Sequence, residues 1–266
     1  MKKSIRFTGI FLCLLIAVTV FFQTSASAAN GPIDTSNASD GYFTVSYSAT
    51  TSRMKVGVTF NGSTRYIDYK AGTTASYAFE EGNGAYTLTL YVNVGGNSYK
   101  RVASSDVNVT FKKDNAQYLA STVEINFDAG GTVIQKANEL CKNTDNDESR
   151  IVAIYKYMLS FSYDFDLAGQ ISRGEVSGYK PNTAAVLKSG KGICYDLSAL
   201  FAAMCRSQGV PCKLVKGTYN NGAHAWNEVF CGGTWHRIDM TYAVQFKPAA
   251  STIAECETTL TGYTAG

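Results

Sequence analysis

Apolar and polar residues alternate along the segment from Asp40 to about Phe111, which is rich in Tyr, Thr and Val. A period of two, interrupted by Gly and Asn, predicts short β-strands, and Asn61-Gly62 is typical of a hairpin turn. The predicted strands are Tyr42–Ala49, Met54–Phe60, Ser63–Tyr69, Ala75–Glu80, Tyr86–Val94, Ser98–Val102 and Val107–Phe111. About seven strands in a segment of this length favour a β-sandwich of the immunoglobulin-like type.

The hydrophobic period becomes that of a helix after a polar stretch that follows these strands. Apolar positions three and four residues apart predict helices near residues 133–141 and 151–159, the second with Asp147 as its N-cap. A longer helix is predicted over Ile193–Gln208, with Gly209 just after its end. Its inward-facing positions are Leu197, Leu200, Phe201, Met204 and Cys205. The strands predicted after it are Cys212–Thr218, Ala223–Phe230 and Thr234–Met240.

Three basic residues precede the apolar run Phe7–Phe22, and the small residues of Ser25–Ala29 follow it. This order is typical of a signal peptide, so we expect cleavage near Ala29 and a secreted, extracellular protein, with the cell wall as a candidate location. An uncleaved run would be a single-pass anchor, but the small residues favour cleavage, after which no stable membrane insertion is expected. The predicted organisation is a signal peptide over residues 1–29, an immunoglobulin-like sandwich domain over 30–114 and an α+β domain over 115–266.

The net charge argues against nucleic acid as a partner. The whole chain carries +3 at pH 7, and the three basic residues of the leader, which holds no acidic residue, account for all of it. The mature chain is therefore formally neutral. Nucleic-acid binding depends on clustered Lys and Arg side chains that displace counterions, so no such partner is expected.

The chain has seven cysteines, of which Cys13 would leave with the leader. The other six are Cys141, Cys194, Cys205, Cys212, Cys231 and Cys256. Their spacings contain no CxxC pair, so neither a disulfide scaffold nor a zinc site is indicated. Cys205 and Cys212 occupy apolar positions that suit buried free thiols, whereas Cys231 and Cys256 are the best-placed pair for a disulfide. No metal or other cofactor is predicted, and calcium stays an open alternative.

A glycine-rich turn, Gly190-Lys191-Gly192, leads into Cys194 at the start of the longer predicted helix. The unpaired N–H groups and the positive end of the helix dipole favour a thiolate at this position, and the same N–H groups could receive a developing oxyanion. Taken alone, a small buried cysteine on an amphipathic helix is the commoner explanation. A chemical role for this thiol therefore depends on a nearby histidine.

Both histidines of the chain, His224 and His236, lie in one predicted hairpin centred on Gly232-Gly233. In that register Trp226 faces Asp239, and His224 is the diagonal neighbour of Asp239 on the same face, roughly 7 to 8 Å away. His236 projects from the opposite face. An Asp beside an imidazole orients the ring and stabilises the imidazolium, which in turn holds a thiolate. His224 and Asp239 are therefore the base and the orienting acid predicted to act with the cysteine.

Four motifs, in this order, resemble the core of the transglutaminase-like superfamily. They are Gly192-Ile193-Cys194, Gly209-Val210-Pro211, His224-Ala225-Trp226 and Trp235-His236-Arg237-Ile238-Asp239. The resemblance covers roughly residues 151–242, and within the superfamily the chain resembles a secreted bacterial member. It implies an α+β, papain-like or transglutaminase-like catalytic domain that uses the triad Cys194, His224 and Asp239 and forms a thioester. His236 and Thr241-Tyr242 depart from the commoner residues of the pattern, without touching the triad.

The resemblance also implies a second oxyanion donor upstream of the cysteine, for which Tyr179 and Asn182 are the candidates. Tyr195 and Trp226, beside the nucleophile and the base, are the predicted substrate-binding residues. The expected partner is a protein or peptide substrate, with cell-wall peptide as one candidate. Water would resolve the thioester in a peptidase or amidase and a lysine amine in a transglutaminase, and hydrolysis is slightly favoured because a secreted chain meets bulk water.

A function of another class is the alternative to the enzyme. The chain could be a catalytically silent module that binds glycan or another component of the cell surface through its Tyr-rich strands. Tyrosine is common in strands of any function, so this composition is weak support. The complete set of Cys, His and Asp favours the enzyme.

Overall fold

A computed structural model describes residues 31–49, 53–127, 131–246 and 250–266 of the chain. The predicted signal peptide over residues 1–29, with Cys13, lies outside the described residues. Within the described ranges, no helix is both long and apolar enough to cross a membrane.

Two antiparallel sheets make up the described chain before residue 111. Their strands are β1 (Ile33–Asp34), β2 (Tyr42–Ser46), β3 (Met54–Phe60), β4 (Ser63–Tyr69), β5 (Thr74–Ala78), β6 (Gly84–Gly95) and β7 (Ser98–Val109). One sheet has the order β1-β2-β5 and the other β4-β3-β6-β7. Apolar side chains from both sheets, among them Phe43, Val56 and Leu88, form one hydrophobic core. The immunoglobulin-like type of this arrangement stays a prediction.

The main difference from the sequence-based expectation lies in the last two predicted strands. The predicted strands Ser98–Val102 and Val107–Phe111 are one strand, β7, whose polar middle does not alternate but pairs with β6 along its length. An edge strand tolerates such a polar run because its second side faces solvent. By contrast β3 and β4 have the predicted bounds, joined by Asn61 and Gly62, which both have positive φ as a two-residue hairpin turn requires.

The remainder of the described chain is a mixed α and β structure built on a four-stranded sheet of order β12-β11-β10-β13. A parallel pair, β8 with β9, lies apart from that sheet. The strands are β8 (Ser162–Tyr163), β9 (Lys191–Gly192), β10 (Cys212–Tyr219), β11 (Gly222–Cys231), β12 (Thr234–Ile238) and β13 (Tyr263–Ala265). The helices are α1 (Thr132–Cys141), α2 (Asp147–Met158), α3 (Phe165–Ser172), α4 (Thr183–Ser189), α5 (Cys194–Ser207), α6 (Met240–Phe246) and α7 (Ile253–Cys256).

Helix α5 is the centre of the second hydrophobic core. The five positions predicted to face inward are all fully buried, and Gly209 follows the helix with a φ of 80°, as expected for a residue that ends it. The alanines on its other faces are buried too, because α1, α2, α4 and α6 pack around it as well as the sheet. The predicted N-cap of α2 is wrong by one residue: Asn146 accepts from the N–H of Ser149, and Asp147 is the first helical residue.

Candidate active site

Gly192 and Asp196 shape the turn that delivers Cys194. Gly192 pairs with Tyr163 in the parallel β8–β9 ladder, and Cys194 begins α5 two residues later. The Asp196 carboxylate accepts the N–H of Ile193 at 3.0 Å and so caps the helix from within. A Cβ on residue 192 would lie 2.6 Å from that of Asp196, which is closer than carbon atoms can approach. Only glycine therefore fits in this turn.

Cys194 is the least buried of the six cysteines in the described part of the chain, since the other five are buried free thiols. Cys205 and Cys212 are fully buried, as predicted. The predicted disulfide between Cys231 and Cys256 is wrong, because both are free. Burial raises the pKa of Cys256 to about 12, so that thiol stays protonated and unreactive.

The β11–β12 hairpin has the predicted register, with Val229 opposite His236 and Asn227 opposite Ile238. His224 Nε2 lies 2.7 Å from Asp239 Oδ2. His236 is on the other face, where its ring nitrogens contact Glu257 Oε1 at 3.0 Å and the Cys231 carbonyl at 3.2 Å. The pattern of the hairpin therefore separated the two histidines correctly.

His224 is held in its charged form by its neighbours. Burial by itself lowers the pKa of the imidazole, but the hydrogen bond with Asp239 and the contact with the Cys194 side chain outweigh it and raise the pKa to about 9. Since Nε2 is engaged by Asp239, Nδ1 is the ring nitrogen left for Cys194. This arrangement suits a thiolate–imidazolium pair.

Asp239 is 3% exposed and is saturated with donors. Its Oδ1 accepts the N–H groups of Thr241 at 2.8 Å and Tyr242 at 3.2 Å. Strand β12 ends one residue before it and α6 starts one residue after it, so the predicted strand Thr234–Met240 was two residues too long. Burial raises the pKa of this carboxyl, but the hydrogen bonds from His224 and Tyr263 lower it by more. The net pKa therefore lies below its usual value. The group is therefore ionised beside the imidazole.

Tyr263 was not identified from the sequence, yet its hydroxyl donates to Asp239 Oδ2 at 2.6 Å. It comes from β13, which pairs with β10 and places Tyr219 opposite Tyr263. Its ring lies 5.9 Å from that of His224 and 5.1 Å from that of Trp226. No periodic signal in the short polar tail around it could have indicated this contact.

The two predicted substrate-binding residues have different surroundings. Trp226 is 3% exposed, its ring stacks 6.2 Å from His224, and its Nε1 is buried with no partner among the described residues. The Tyr195 hydroxyl contacts the Glu124 carboxylate, and the ammonium of Lys216 lies 5.6 Å from the Tyr195 ring centroid. Contact of either side chain with substrate stays a prediction.

The candidates for a second oxyanion donor have other partners. The Tyr179 hydroxyl donates to both oxygens of Asp196, at 2.8 and 3.0 Å, and the Asn182 side chain caps α4 by accepting the N–H of Ala185. A different hydroxyl contacts the backbone of the cysteine: the N–H of Cys194 contacts the hydroxyl of Tyr163, the residue paired with Gly192. The phenol of Tyr163 therefore lies at the start of α5.

Comparison with known proteins agrees with the motifs. Residues 134–240, which include Cys194, His224 and Asp239, match the family model described as the transglutaminase-like superfamily. The kyphoscoliosis peptidases of Mus musculus and Homo sapiens are each 30% identical over 118 residues, which is 40% of this chain and 17% of those proteins. The chain thus spans less than a fifth of the length of these relatives. The predicted resemblance is confirmed for residues 134–240, which match the transglutaminase-like model.

The matches to solved structures are more distant. A candidate cysteine protease from Cytophaga hutchinsonii has a TM-score of 0.40 and 16% identity, with 77% of this chain and 73% of that chain covered. The periplasmic domain of TgpA from Pseudomonas aeruginosa has a TM-score of 0.38 and 13% identity, with the same shares covered. A transglutaminase structure has a TM-score of 0.36 and 22% identity, over 57% of this chain and 43% of that chain. Likeness of this degree assigns no activity.

Proposed function

We propose that this transglutaminase-like domain is a thiol acyl-transfer enzyme that acts on peptide or carboxamide bonds through Cys194, His224 and Asp239. One observation carries the proposal: the partly exposed thiol at the start of α5 contacts an imidazole that is itself bonded, at 2.7 Å, to a buried carboxylate. A chain of thiol, imidazole and carboxylate in this order is what nucleophilic catalysis by cysteine requires.

The first half of the reaction is acyl transfer to the enzyme. The Cys194 thiolate attacks the carbonyl carbon, and the carbonyl oxygen takes the negative charge. The imidazolium of His224 then gives its proton to the departing amine or ammonia, which leaves a thioester and a neutral imidazole. Asp239 keeps the ring oriented throughout, because its Oδ1 is fixed by two backbone N–H groups.

The oxyanion has two candidate donors. The N–H of Cys194 lies at the N-terminus of α5, where the helix dipole favours negative charge. The Tyr163 hydroxyl, which this N–H contacts, is the proposed second donor and takes the place of Tyr179 and Asn182. Trp226 and Tyr195 are proposed to border the substrate on the two sides of the thiol.

The second half of the reaction releases the acyl group. The neutral His224 removes a proton from water or from a lysine amine, and that nucleophile attacks the thioester. The sulfur leaves as a thiolate, which restores the thiolate–imidazolium pair. The same residues serve either acceptor, so the triad does not choose between hydrolysis and cross-linking. Hydrolysis is the outcome we favour, because a secreted enzyme works in bulk water.

Location and organisation complete the proposal. The leader predicted over residues 1–29 would export the chain, and the substrate would be a protein or peptide outside the cell, with cell-wall peptide as one candidate. Residues 30–114 and 115–266 are proposed as two domains, because the described residues of each contribute a hydrophobic core of their own. The β-rich domain would hold the enzyme near its substrate.

Mass analysis of a peptide mixture that contains both Gln and Lys tests the activity. Incubation with the full protein should produce cleaved peptides, loss of ammonia or Gln–Lys cross-links, and Cys194→Ala should abolish the change. A melting curve of Cys194→Ala that overlays the wild type would show that the variant is folded. Peptides that are unchanged by the wild type, or changed equally by the variant, would favour the catalytically silent binding module.

A further inference from the structure

Strand β13 brings a second donor to the carboxylate oxygen that His224 uses. Asp239 Oδ2 lies 2.7 Å from His224 Nε2 and 2.6 Å from the Tyr263 hydroxyl. The other oxygen of Asp239 is occupied by two backbone N–H groups. The imidazole and the phenol therefore divide the charge of one buried oxygen between them.

Two glycines let β13 reach this position. A Cβ on Gly217 would overlap the Thr264 carbonyl, because β13 lies directly against β10 at that residue. Gly262 has a φ of 99°, and a Cβ there would overlap the side-chain oxygen of Asn220. The N–H of Asn220 also donates to the Gly262 carbonyl at 3.1 Å. The residue before Tyr263 is thus fixed against the turn between β10 and β11.

Arg237, in strand β12 at the other edge of the sheet, binds the segment that leads into β13. Its Nε donates to the Thr258 carbonyl at 3.0 Å and its Nη2 to the Leu260 carbonyl at 3.1 Å. Its guanidinium carbon lies 4.5 Å from the centroid of the Tyr263 ring. Arg237 is two residues before Asp239, so the chain that supplies the carboxylate also anchors the tyrosine that binds it.

We propose that Tyr263 is a positioning residue for the acyl-transfer reaction, an inference that rests on the proposed function. Its hydroxyl fixes Asp239 Oδ2 against His224 and takes part of the carboxylate charge, which limits how strongly the imidazole holds its proton. The active site is then complete only when β13 is in place. When one donor to a buried carboxylate is removed, the carboxylate interacts more strongly with its remaining donors.

The test is the pH profile of Cys194 alkylation by iodoacetamide, followed by peptide mapping, which requires no known substrate. In the wild type the rate should change in two steps, and the upper step reports loss of the imidazolium proton. In Tyr263→Phe this step should move upward by about 0.5 to 1 pH unit, since the carboxylate then serves His224 alone. A side chain that only packed would change the melting temperature and leave the step in place.

A matched phenol and a matched glycine serve as controls. Tyr86→Phe removes a buried hydroxyl that donates to the Gly82 carbonyl at 2.7 Å in the β-rich half, so its profile should overlay the wild type. Gly262→Ala keeps the phenol but displaces β13, and it should reproduce the upward shift. Gly72→Ala has similar backbone strain, at a φ of 77° with no neighbour within 4 Å, and should not.

The outcomes separate this inference from the proposed function. If the wild type shows both steps and Tyr263→Phe overlays it or shifts downward, the role of Tyr263 is overturned and the triad stands. If the wild type shows a single step like that of a free thiol, no thiol–imidazole pair exists, and both proposals fall.

Discussion

At the scale of single residues, the charge of His224 is decided by competition between burial and hydrogen bonding. A buried imidazole favours its neutral form, yet the pKa of His224 is raised to about 9 because Asp239 and the Cys194 side chain stabilise the proton. The imidazolium therefore persists through neutral pH and is lost as the pH rises through about 9. A reaction that needs this proton for the leaving group should decline over the same range.

Replacing Asp239 with Asn should move that decline to lower pH and reduce kcat by about 10³-fold. The amide carries no charge, so the Cys194 side chain alone then opposes the effect of burial, and the pKa of His224 falls. The measurement is kcat against pH for any peptide found to be turned over. Asp106→Asn, at an exposed carboxylate that accepts from the Thr87 hydroxyl, is the control and should behave as wild type. An unchanged pH limit in Asp239→Asn would contradict this assignment of the charge.

At the scale of elements, the turn between β9 and α5 sets where the thiol lies. Gly192 has no side chain and lies directly against Asp196. The Asp196 carboxylate in turn accepts the N–H of Ile193. The same carboxylate is also fixed by Tyr179, a residue just before α4. The Tyr179 hydroxyl donates to both oxygens of Asp196. The position of Cys194 thus depends on three residues that need not touch substrate.

Gly192→Ala should therefore reduce activity by about 100-fold, because the added methyl group displaces Asp196 and with it the start of α5. Kinetics together with a melting curve measure the effect, and the protein should remain folded. The matched control is Gly169→Ala in α3, where the new methyl group meets only the mobile end of the Arg173 side chain. Equal losses in both variants would show that Gly192 has no special role.

At the scale of the whole molecule, a buried arginine ties the segment after the β-rich half to the core of the mixed α and β half. Arg206, near the end of α5, is 6% exposed. Its Nε donates to the Cys212 carbonyl and its Nη1 to the Ala120 carbonyl, both at 2.8 Å. The N–H of Val123 in the same segment donates to the Ser76 carbonyl of β5, so these residues bond to both halves.

Arg206→Met should lower the free energy of unfolding by about 2 to 4 kcal/mol, because two buried carbonyl groups lose their donor. Urea denaturation measures the change. Arg173→Met, at an exposed side chain paired with Glu175, should leave the unfolding curve unchanged. A similar midpoint for both variants would mean that solvent replaces the lost bonds at Arg206.

Much of the candidate site could be predicted because its determinants are local. The hairpin register follows from the two glycines of its turn, and this register alone puts His224 near Asp239 and His236 on the other face. The start of α5 follows from its apolar period and the glycines before it. The predictions that failed were of another kind: the Cys231–Cys256 disulfide assumed an approach of two distant segments, and the split of β7 assumed that a polar run ends a strand.

The sequence by itself thus determined most of the longer helices and strands, the order of the four motifs and the choice of histidine, since each of these depends on side chains a few residues apart. Only the tertiary structure decided that Tyr263 reaches Asp239, that Tyr195 contacts Glu124 and that Cys256 is buried and unpaired. Contacts across long stretches of chain leave no period in the sequence. They form where packing of the whole domain offsets the entropy lost on closing the intervening loop.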